Sequence, residues 1–100
     1  MKVYLVVFAW STEVCSDVDI DAFDTYEKAV TRFQESIDDE KTYESWVREA
    51  FDENGDILDE YYFDECQPDM RLETYAYWSI TDSCNSKMHD YIAIVPLEVK

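Results

Sequence analysis

The net negative charge of this chain is confined to its middle. Between Glu13 and Asp69 there are 20 acidic and four basic residues, which account for the whole formal charge of -16, while the acids and bases of the two ends cancel. Repulsion at this charge density opposes a compact state, so a fold must offset it with an apolar core. The chain can supply one, because 47% of its residues are hydrophobic and 16% are aromatic. Disordered acidic tails are poor in aromatic residues, and we therefore expect a single folded domain over residues 1–100.

The first part of the chain predicts a strand, a loop and a helix. Lys2 to Trp10 is β-branched and aromatic with little polar interruption, which is typical of a strand that is central in a sheet or buried on both faces. Ser11 to Phe23 is predicted to be a polar loop, and its alternating aspartates are more simply explained as solvated side chains than as a cation site. Asp24 is predicted to cap the helix, with Glu27 completing a capping box. The apolar face of the helix is formed by Tyr26, Ala29, Val30, Phe33 and Ile37.

A hairpin is predicted after the helix. Asn54-Gly55 is the favoured pair for a type I′ turn and lies between two runs rich in aromatic and aliphatic residues. Tyr43 to Asp52 and Asp56 to Asp64 are the predicted arms. A helix over Tyr43 to Phe51, continuous with the first helix, is the main alternative.

Two more strands complete the predicted fold. In Leu72 to Thr81, one side is formed by Leu72, Thr74, Ala76, Trp78 and Ile80, and the other by Tyr75 and Tyr77. A polar loop through Asn85 and His89 leads to a strand over Tyr91 to Val99, where Pro96 indicates an edge position or a bulge. An edge strand there could pair with a second copy of the chain. The order β-α-β-β-β-β predicts an α+β fold, with an antiparallel or mixed sheet of about five strands and one helix packed on one face.

No motif for catalysis or calcium binding is complete. The sole histidine lies in a predicted loop and no Ser or Cys has a recognisable nucleophile context, so we do not expect an enzyme. Asp52, Asn54 and Asp56 match the first positions of a calcium loop, but Ile57 stands where Gly is needed and Phe63 where a bidentate Glu is needed. We therefore expect neither a metal nor another cofactor.

The cysteines and the N-terminal segment bear on the compartment. Cys15, Cys66 and Cys84 are odd in number and lack CxxC spacing, which favours free thiols over a disulfide framework or a zinc site. Met1 to Trp10 is apolar but too short to span a bilayer and lacks a small-residue cleavage site. These features predict a cytoplasmic protein that does not bind membranes.

The acidic surface predicts a basic partner. Direct binding of nucleic acid is disfavoured, because phosphate contacts are made by Lys and Arg. Carboxylates in rows can instead compete with DNA for a cationic protein surface. The predicted binding patch combines the end of the helix with the two hairpin arms: Asp38, Asp39, Glu40, Asp52, Glu53, Asp56, Asp59, Glu60, Asp64 and Glu65.

The chain resembles small acidic proteins encoded by phages and mobile elements. The resemblance rests on its size, on its lack of catalytic motifs and on the acidic runs Ser36-Ile37-Asp38-Asp39-Glu40 and Asp56-Ile57-Leu58-Asp59-Glu60. These proteins include anti-CRISPR and anti-restriction proteins, several of which imitate DNA. The resemblance implies an inhibitor that occupies the cationic channel of a nuclease or CRISPR effector complex in the bacterial host.

Three other hypotheses remain open. An immunity protein that neutralises a basic toxin would need the same acidity, concentrated with aromatic residues on a compact face. An adaptor or subunit of a larger assembly would have a second sheet face, with Tyr75 and Tyr77, that is apolar and exposed. A solvated acidic surface without any partner is the simplest alternative.

Overall fold

An antiparallel sheet of five strands carries two helices on one face. The computed structural model describes residues 1–12, 14–82 and 88–100. The sheet order is β2-β1-β5-β4-β3, and each neighbouring pair is antiparallel. The elements are β1 (Lys2–Ser11), β2 (Ser16–Phe23), α1 (Tyr26–Tyr43), α2 (Ser45–Arg48), β3 (Tyr61–Cys66), β4 (Ala76–Asp82) and β5 (His89–Glu98). The predicted α+β fold, with about five strands and one main helix, is confirmed.

The core lies between α1 and the sheet. The predicted apolar face of α1 is confirmed, because Tyr26, Ala29, Phe33 and Ile37 are buried and Val30 packs against them. The sheet meets this face with side chains such as Trp78, which is 1% exposed. Burial of large apolar side chains is the main stabilising contribution to such a domain. No helix in the described part of the chain has the length and apolar character needed to cross a bilayer.

Thr25 caps α1, one residue later than predicted. Its side-chain hydroxyl accepts a hydrogen bond from the backbone N–H of Lys28 at 3.3 Å. Asp24, the predicted cap, instead forms an ion pair with the Lys28 ammonium group at 2.8 Å. Both residue types are good caps, and the extended backbone of Thr25 places it at the cap position.

Most of the segment predicted as a polar loop is strand β2. Ser16–Phe23 pairs with β1 in a continuous register from Ser11↔Ser16 to Tyr4↔Phe23. The alternation of aspartates with Val18, Ile20 and Ala22 has the two-residue period of a strand. The segment was predicted as a loop because of its acidic composition, although its period is that of a strand. The sheet therefore gains a strand before the helix.

The predicted hairpin between Tyr43 and Asp64 is mostly wrong. Tyr43 is the last residue of α1 and Ser45–Arg48 forms α2, so the helical alternative holds in part: the extended backbone of Glu44 separates the two helices, and α2 ends before Phe51. A turn forms at Asn54-Gly55, where Gly55 has a φ of 84° and the Asp52 N–H donates to the Asp56 carbonyl at 2.8 Å. It is not the predicted type I′ turn, because Asn54 lacks the positive φ that this type also needs. Sheet pairing beside the turn is limited to an isolated bridge, Phe51↔Ile57.

The last strand is the centre of the sheet and not its edge. β5 pairs with β1 along its whole length and with β4 from His89 to Ile94. Pro96 lies beyond the end of the β4 pairing, where a residue without an N–H can be accommodated. Because both sides of β5 are occupied from His89 to Ile94, this part of the strand cannot pair with a second copy. Asn85, predicted in the preceding loop, lies outside the described residues.

The register divides the strands between two faces. Directly paired residues share a face, so the side chains opposite Tyr4 and Val6 of β1 face α1. We call the other side the open face, because α1 and α2 both pack on the first. In the described strands it is formed by Val3, Leu5, Val7, Ala9, Ser11, Ser16, Val18, Ile20, Ala22, Tyr62, Asp64, Cys66, Tyr77, Ser79, Thr81, His89, Tyr91, Ala93, Val95 and Leu97.

Candidate acidic interface

The three aspartates of β2 form a row on the helix side of the sheet. Asp17, Asp19 and Asp21 pair with Trp10, Phe8 and Val6, which face α1. Alternate residues of an antiparallel strand are about 6.8 Å apart, so the row extends over about 14 Å. All three side chains are exposed, because β2 is an edge strand. The sheet thus presents carboxylates at even spacing beside the helix.

α1 places a second set of charged side chains opposite this row. The Arg32 Nε lies 3.4 Å from Asp21 Oδ2, and Arg32 Nη1 lies 3.8 Å from Glu35 Oε2. The pair with Asp21 ties β2 to α1, whereas the pair with Glu35 lies within α1. They are partly exposed, and such pairs stabilise a fold by about 0.2–1 kcal/mol.

Asp39 lies two helical turns beyond Arg32 and borders the same depression between α1 and β2. We call this depression the acidic cleft. Val6 and Phe8 of β1 line it together with Asp19, Asp21, Arg32, Ser36, Asp39 and Glu40. Three exposed carboxylates therefore meet one guanidinium in the cleft, and the excess charge is negative.

Glu40 and Asp90 are buried beside the cleft. Their exposed fractions are 8% and 5%. Burial raises the pKa of Glu40 to about 9, with a further contribution from its hydrogen bond with the Asp90 side chain. Glu40 is therefore protonated at neutral pH and donates to Asp90, since two adjacent buried carboxyl groups do not both ionise readily. Its Oε2 has no hydrogen-bond partner.

Aromatic residues extend the acidic cleft toward the end of β1. A second depression shares Glu40 with the cleft and is lined by Phe8, Trp10, Thr12, Glu40, Glu44, Trp46, Met88 and Asp90. We call it the aromatic groove. The Trp46 ring is stacked on Tyr61 with centroids 6.5 Å apart, which holds it at the side of the groove. Carboxylates and indole rings thus share one continuous surface.

The residues of the predicted patch are brought together only in part. Asp38 and Asp39 are exposed near the end of α1, whereas Glu40 is buried and offers no charge to a partner. Asp64 and Glu65 are successive residues of β3, so they face opposite sides of the sheet.

The remaining predicted residues lie in the loop between α2 and β3. Asp52 Oδ1 accepts the backbone N–H groups of Asn54 and Asp56 at 2.9 and 3.0 Å, so it holds the turn. Lys41 and Arg48 border the same surface, together with Phe51, Asp52 and Gly55. Two bases therefore offset part of the acidity of this loop. Its exposed carboxylates are Glu49, Asp52, Glu53, Asp56, Asp59 and Glu60.

Sequence reasoning missed the residues that make the cleft acidic from the sheet side. Asp17, Asp19 and Asp21 were assigned to a loop, and the burial of Asp90 beside Glu40 was not foreseen. The strict alternation of Asp with Val, Ile and Ala was the available signal for the first three. No local pattern marks Asp90, because its burial follows from the central position of β5.

The chemistry of the other candidate groups is limited. In residues 1–12, 14–82 and 88–100, no cluster of three or more His, Cys, Asp or Glu side chains is arranged to hold a metal ion. The His89 ring shares a hydrogen bond of 2.6 Å with the Thr81 hydroxyl through Nδ1. Cys15 and Cys66 are exposed free thiols, and Cys84 lies outside the described residues.

Comparisons with family models, curated proteins and solved structures gave no match to this chain.

Proposed function

We propose that the protein binds a cationic surface of another protein through the acidic cleft, and that it acts as an inhibitor that denies this surface to DNA. The partner chemistry is that of a nuclease or CRISPR effector complex, and a phage or mobile element is the fitting source. The observation that carries the proposal is that carboxylate rows on β2 (Asp17, Asp19, Asp21) and on α1 (Glu35, Asp39) meet at one cleft, which Asp19, Asp21 and Asp39 line.

The spacing of these rows is comparable with that of phosphates. Carboxylates recur about every 6.8 Å along β2 and about every 6 Å between Glu35 and Asp39 of α1. Together the two rows present about one carboxylate per 3 Å, against one phosphate per about 3.4 Å for a single strand of duplex DNA. A basic groove that follows a DNA strand would meet a similar linear density of charge.

The long-range field favours the same kind of partner. A chain of 100 residues with a formal charge of -16 repels nucleic acid and attracts basic proteins. Charge complementarity of this kind accelerates association and is weakened by salt. The exposed cleft carboxylates have no large desolvation cost to overcome before they meet Lys or Arg side chains.

The aromatic groove favours one second candidate, an immunity protein for a basic toxin. Trp10 and Trp46 lie beside Glu44 and the buried pair, which is the combination of rigid aromatic and charged groups that dominates tight protein interfaces. Such an inhibitor would contact its toxin through shape as well as charge. DNA would then displace the inhibitor poorly, unless the inhibitor covered the DNA-binding site of the toxin.

The test is a pull-down at low salt from lysate of a bacterium that carries CRISPR and restriction systems, with duplex DNA as competitor. One variant combines Asp17→Asn, Asp19→Asn and Asp39→Asn, which removes two charges of the acidic cleft and the charge of Asp17, next to Asp19 in the β2 row. A matched control combines Glu53→Gln, Asp56→Asn and Asp59→Asn, which removes three charges from the loop between α2 and β3. All six side chains are exposed, so both variants should fold like the wild type.

We expect the wild type and the loop variant to capture a nuclease or effector complex that DNA displaces, and the cleft variant to lose it. Equal loss of binding in both variants would indicate that the partner responds to net charge and not to the acidic cleft. Loss in the loop variant alone would return the site to the patch predicted from sequence. A captured partner that DNA does not displace would favour the immunity candidate.

A further inference from the structure

The open face of the sheet carries an apolar surface that the acidic cleft does not use. Val18 and Ile20 of β2 are 49% and 57% exposed there, and Leu97 of β5 is 47% exposed. The odd-numbered residues of β1 from Val3 to Ala9 continue the same aliphatic surface. A strand that covers a core on one side normally turns its apolar residues toward that core. β2 does the reverse: its aspartates face the helix side and its aliphatic residues face outward.

Charge is divided between the two faces in the same way. Among the described strands, Asp64 is the carboxylate on the open face, and it accepts a hydrogen bond from the Tyr77 hydroxyl at 3.0 Å. It lies on β3, at the edge of the sheet. The other strand carboxylates all fall on the helix side: Asp17, Asp19, Asp21, Glu65, Asp82, Asp90 and Glu98. The open face is therefore nearly free of the charge that dominates the rest of the molecule.

Aromatic rings extend this surface across the other half of the sheet. The ring of Tyr77 lies 5.7 Å from that of Tyr75 and 6.4 Å from that of Tyr91, measured between centroids. His89 stacks on Tyr91 at 6.5 Å. Ordered rings of this kind add contact area without a large loss of side-chain entropy when they are covered.

We propose that the open face is the interface of a homodimer, in which two copies of the sheet pack face to face. This inference does not depend on the proposed function, since it uses the opposite side of the sheet. A second copy fits the chemistry because two chains that each carry a charge of -16 can meet closely only where neither presents carboxylates. A two-fold axis through the face would place Asp64 of each copy at the rim, and would leave both acidic clefts exposed.

The size of the face is adequate for a dimer. Five strands at about 4.8 Å spacing give a width of about 24 Å, and seven residues at about 3.3 Å give a length of about 23 Å. The flat area is then about 550 Å². Protruding side chains make the accessible area of the face larger than this, and it approaches the roughly 800 Å² per partner of a standard interface. Sheets that pack in this way lie about 10 Å apart.

The test is the mass of the full chain in solution, measured by sedimentation from about 1 µM to about 1 mM protein at low and high salt. We expect a species of about twice 11.9 kDa whose population rises with salt, because salt screens the repulsion between the two copies. This response is opposite to that of the cleft, whose binding of a basic partner should weaken with salt.

Two variants decide whether the open face is responsible. Ile20→Glu adds one charge to the open face, and the matched Gln34→Glu adds the same charge to an exposed position of α1. We expect Ile20→Glu to weaken the dimer at least tenfold while Gln34→Glu changes it little, with far-ultraviolet circular dichroism showing that both fold. Leu97→Glu, on β5, should act like Ile20→Glu.

A monomer at every concentration and salt would overturn the proposal. A dimer that Ile20→Glu and Gln34→Glu affect equally would also overturn it.

Discussion

Glu40 of α1 and Asp90 of β5 form a buried pair in which the protonated Glu40 donates a hydrogen bond to the Asp90 side chain. They come from the helix and from the central strand, and both are less than a tenth exposed. The pair joins the two layers of the fold at the point where the acidic cleft meets the aromatic groove.

The pair should make stability fall as the pH rises. Burial raises the pKa of Glu40 from 4.5 to about 9. Well below pH 4.5 the group is protonated in both the folded and the unfolded chain, so it does not change the free energy of unfolding with pH. Above that pH the unfolded chain ionises first, and the free energy of unfolding falls by up to about 1.4 kcal/mol per pH unit until the folded pKa is reached.

Glu40→Gln should remove this dependence, because an amide can still donate to Asp90 and does not titrate. We expect the variant to be more stable than the wild type at pH 7, by up to about 3 kcal/mol, and to lose this advantage near pH 4. Urea unfolding between pH 4 and 9 measures it. Asp39→Asn, next in sequence and exposed, is the control for charge loss alone. Parallel pH curves for Glu40→Gln and wild type would contradict the assignment.

Arg32 should weaken the affinity of the acidic cleft for cations. Its guanidinium pairs with Asp21 and Glu35, so Arg32→Gln frees two carboxylates for a basic partner. We expect about two- to fivefold tighter binding of an oligoarginine peptide at low salt, measured by calorimetry, since exposed pairs are worth up to about 1 kcal/mol. Arg48→Gln removes the same charge beside the loop between α2 and β3. A larger effect of Arg48→Gln would place the cation site in that loop.

Substitution of Thr25, which caps α1, should lower the free energy of unfolding more than substitution of Asp24. Thr25→Ala removes the acceptor for the Lys28 N–H and should lower the free energy of unfolding by about 1 kcal/mol. Asp24→Ala removes an exposed ion pair with the Lys28 side chain and should change stability less. Thermal unfolding of the two variants compares them directly. A greater loss with Asp24→Ala would restore the capping box predicted from sequence.

Phe33 should be among the most costly positions of the helix. It is 2% exposed and lies in the core cluster between α1 and the sheet. Phe33→Ala should lower the free energy of unfolding by about 3–5 kcal/mol through lost burial and the cavity left behind. Gln34→Ala, on the exposed side of the same turn, should change it by less than about 0.5 kcal/mol. Chemical denaturation measures both free energies of unfolding. Equal losses in the two variants would contradict the packing of Phe33 against the sheet.

The sequence by itself determined the elements whose local pattern is strong. Lys2 to Trp10 was identified as an interior strand from its continuous apolar run, and the face of α1 from its helical spacing. Ala76, Trp78 and Ile80 were assigned to one side of a strand by their alternation, and their burial confirms it. Leu72 and Thr74, assigned to the same side, lie before the start of β4, and Leu72 is 68% exposed. In each case the periodicity of the side chains reports the conformation directly, since it follows from backbone geometry.

The tertiary structure decided what each of these patterns faces. The alternation in β2 is visible in the sequence, but whether its aspartates or its aliphatic residues point toward the helix depends on the register with β1, and a shift of one residue would exchange them. Likewise, Glu40 resembles its acidic neighbours in the sequence, and only the approach of Asp90 from the central strand makes it a buried, protonated group. Register and burial arise from contacts between distant segments, and for that reason the acidic cleft and the open face could not be predicted from local pattern alone.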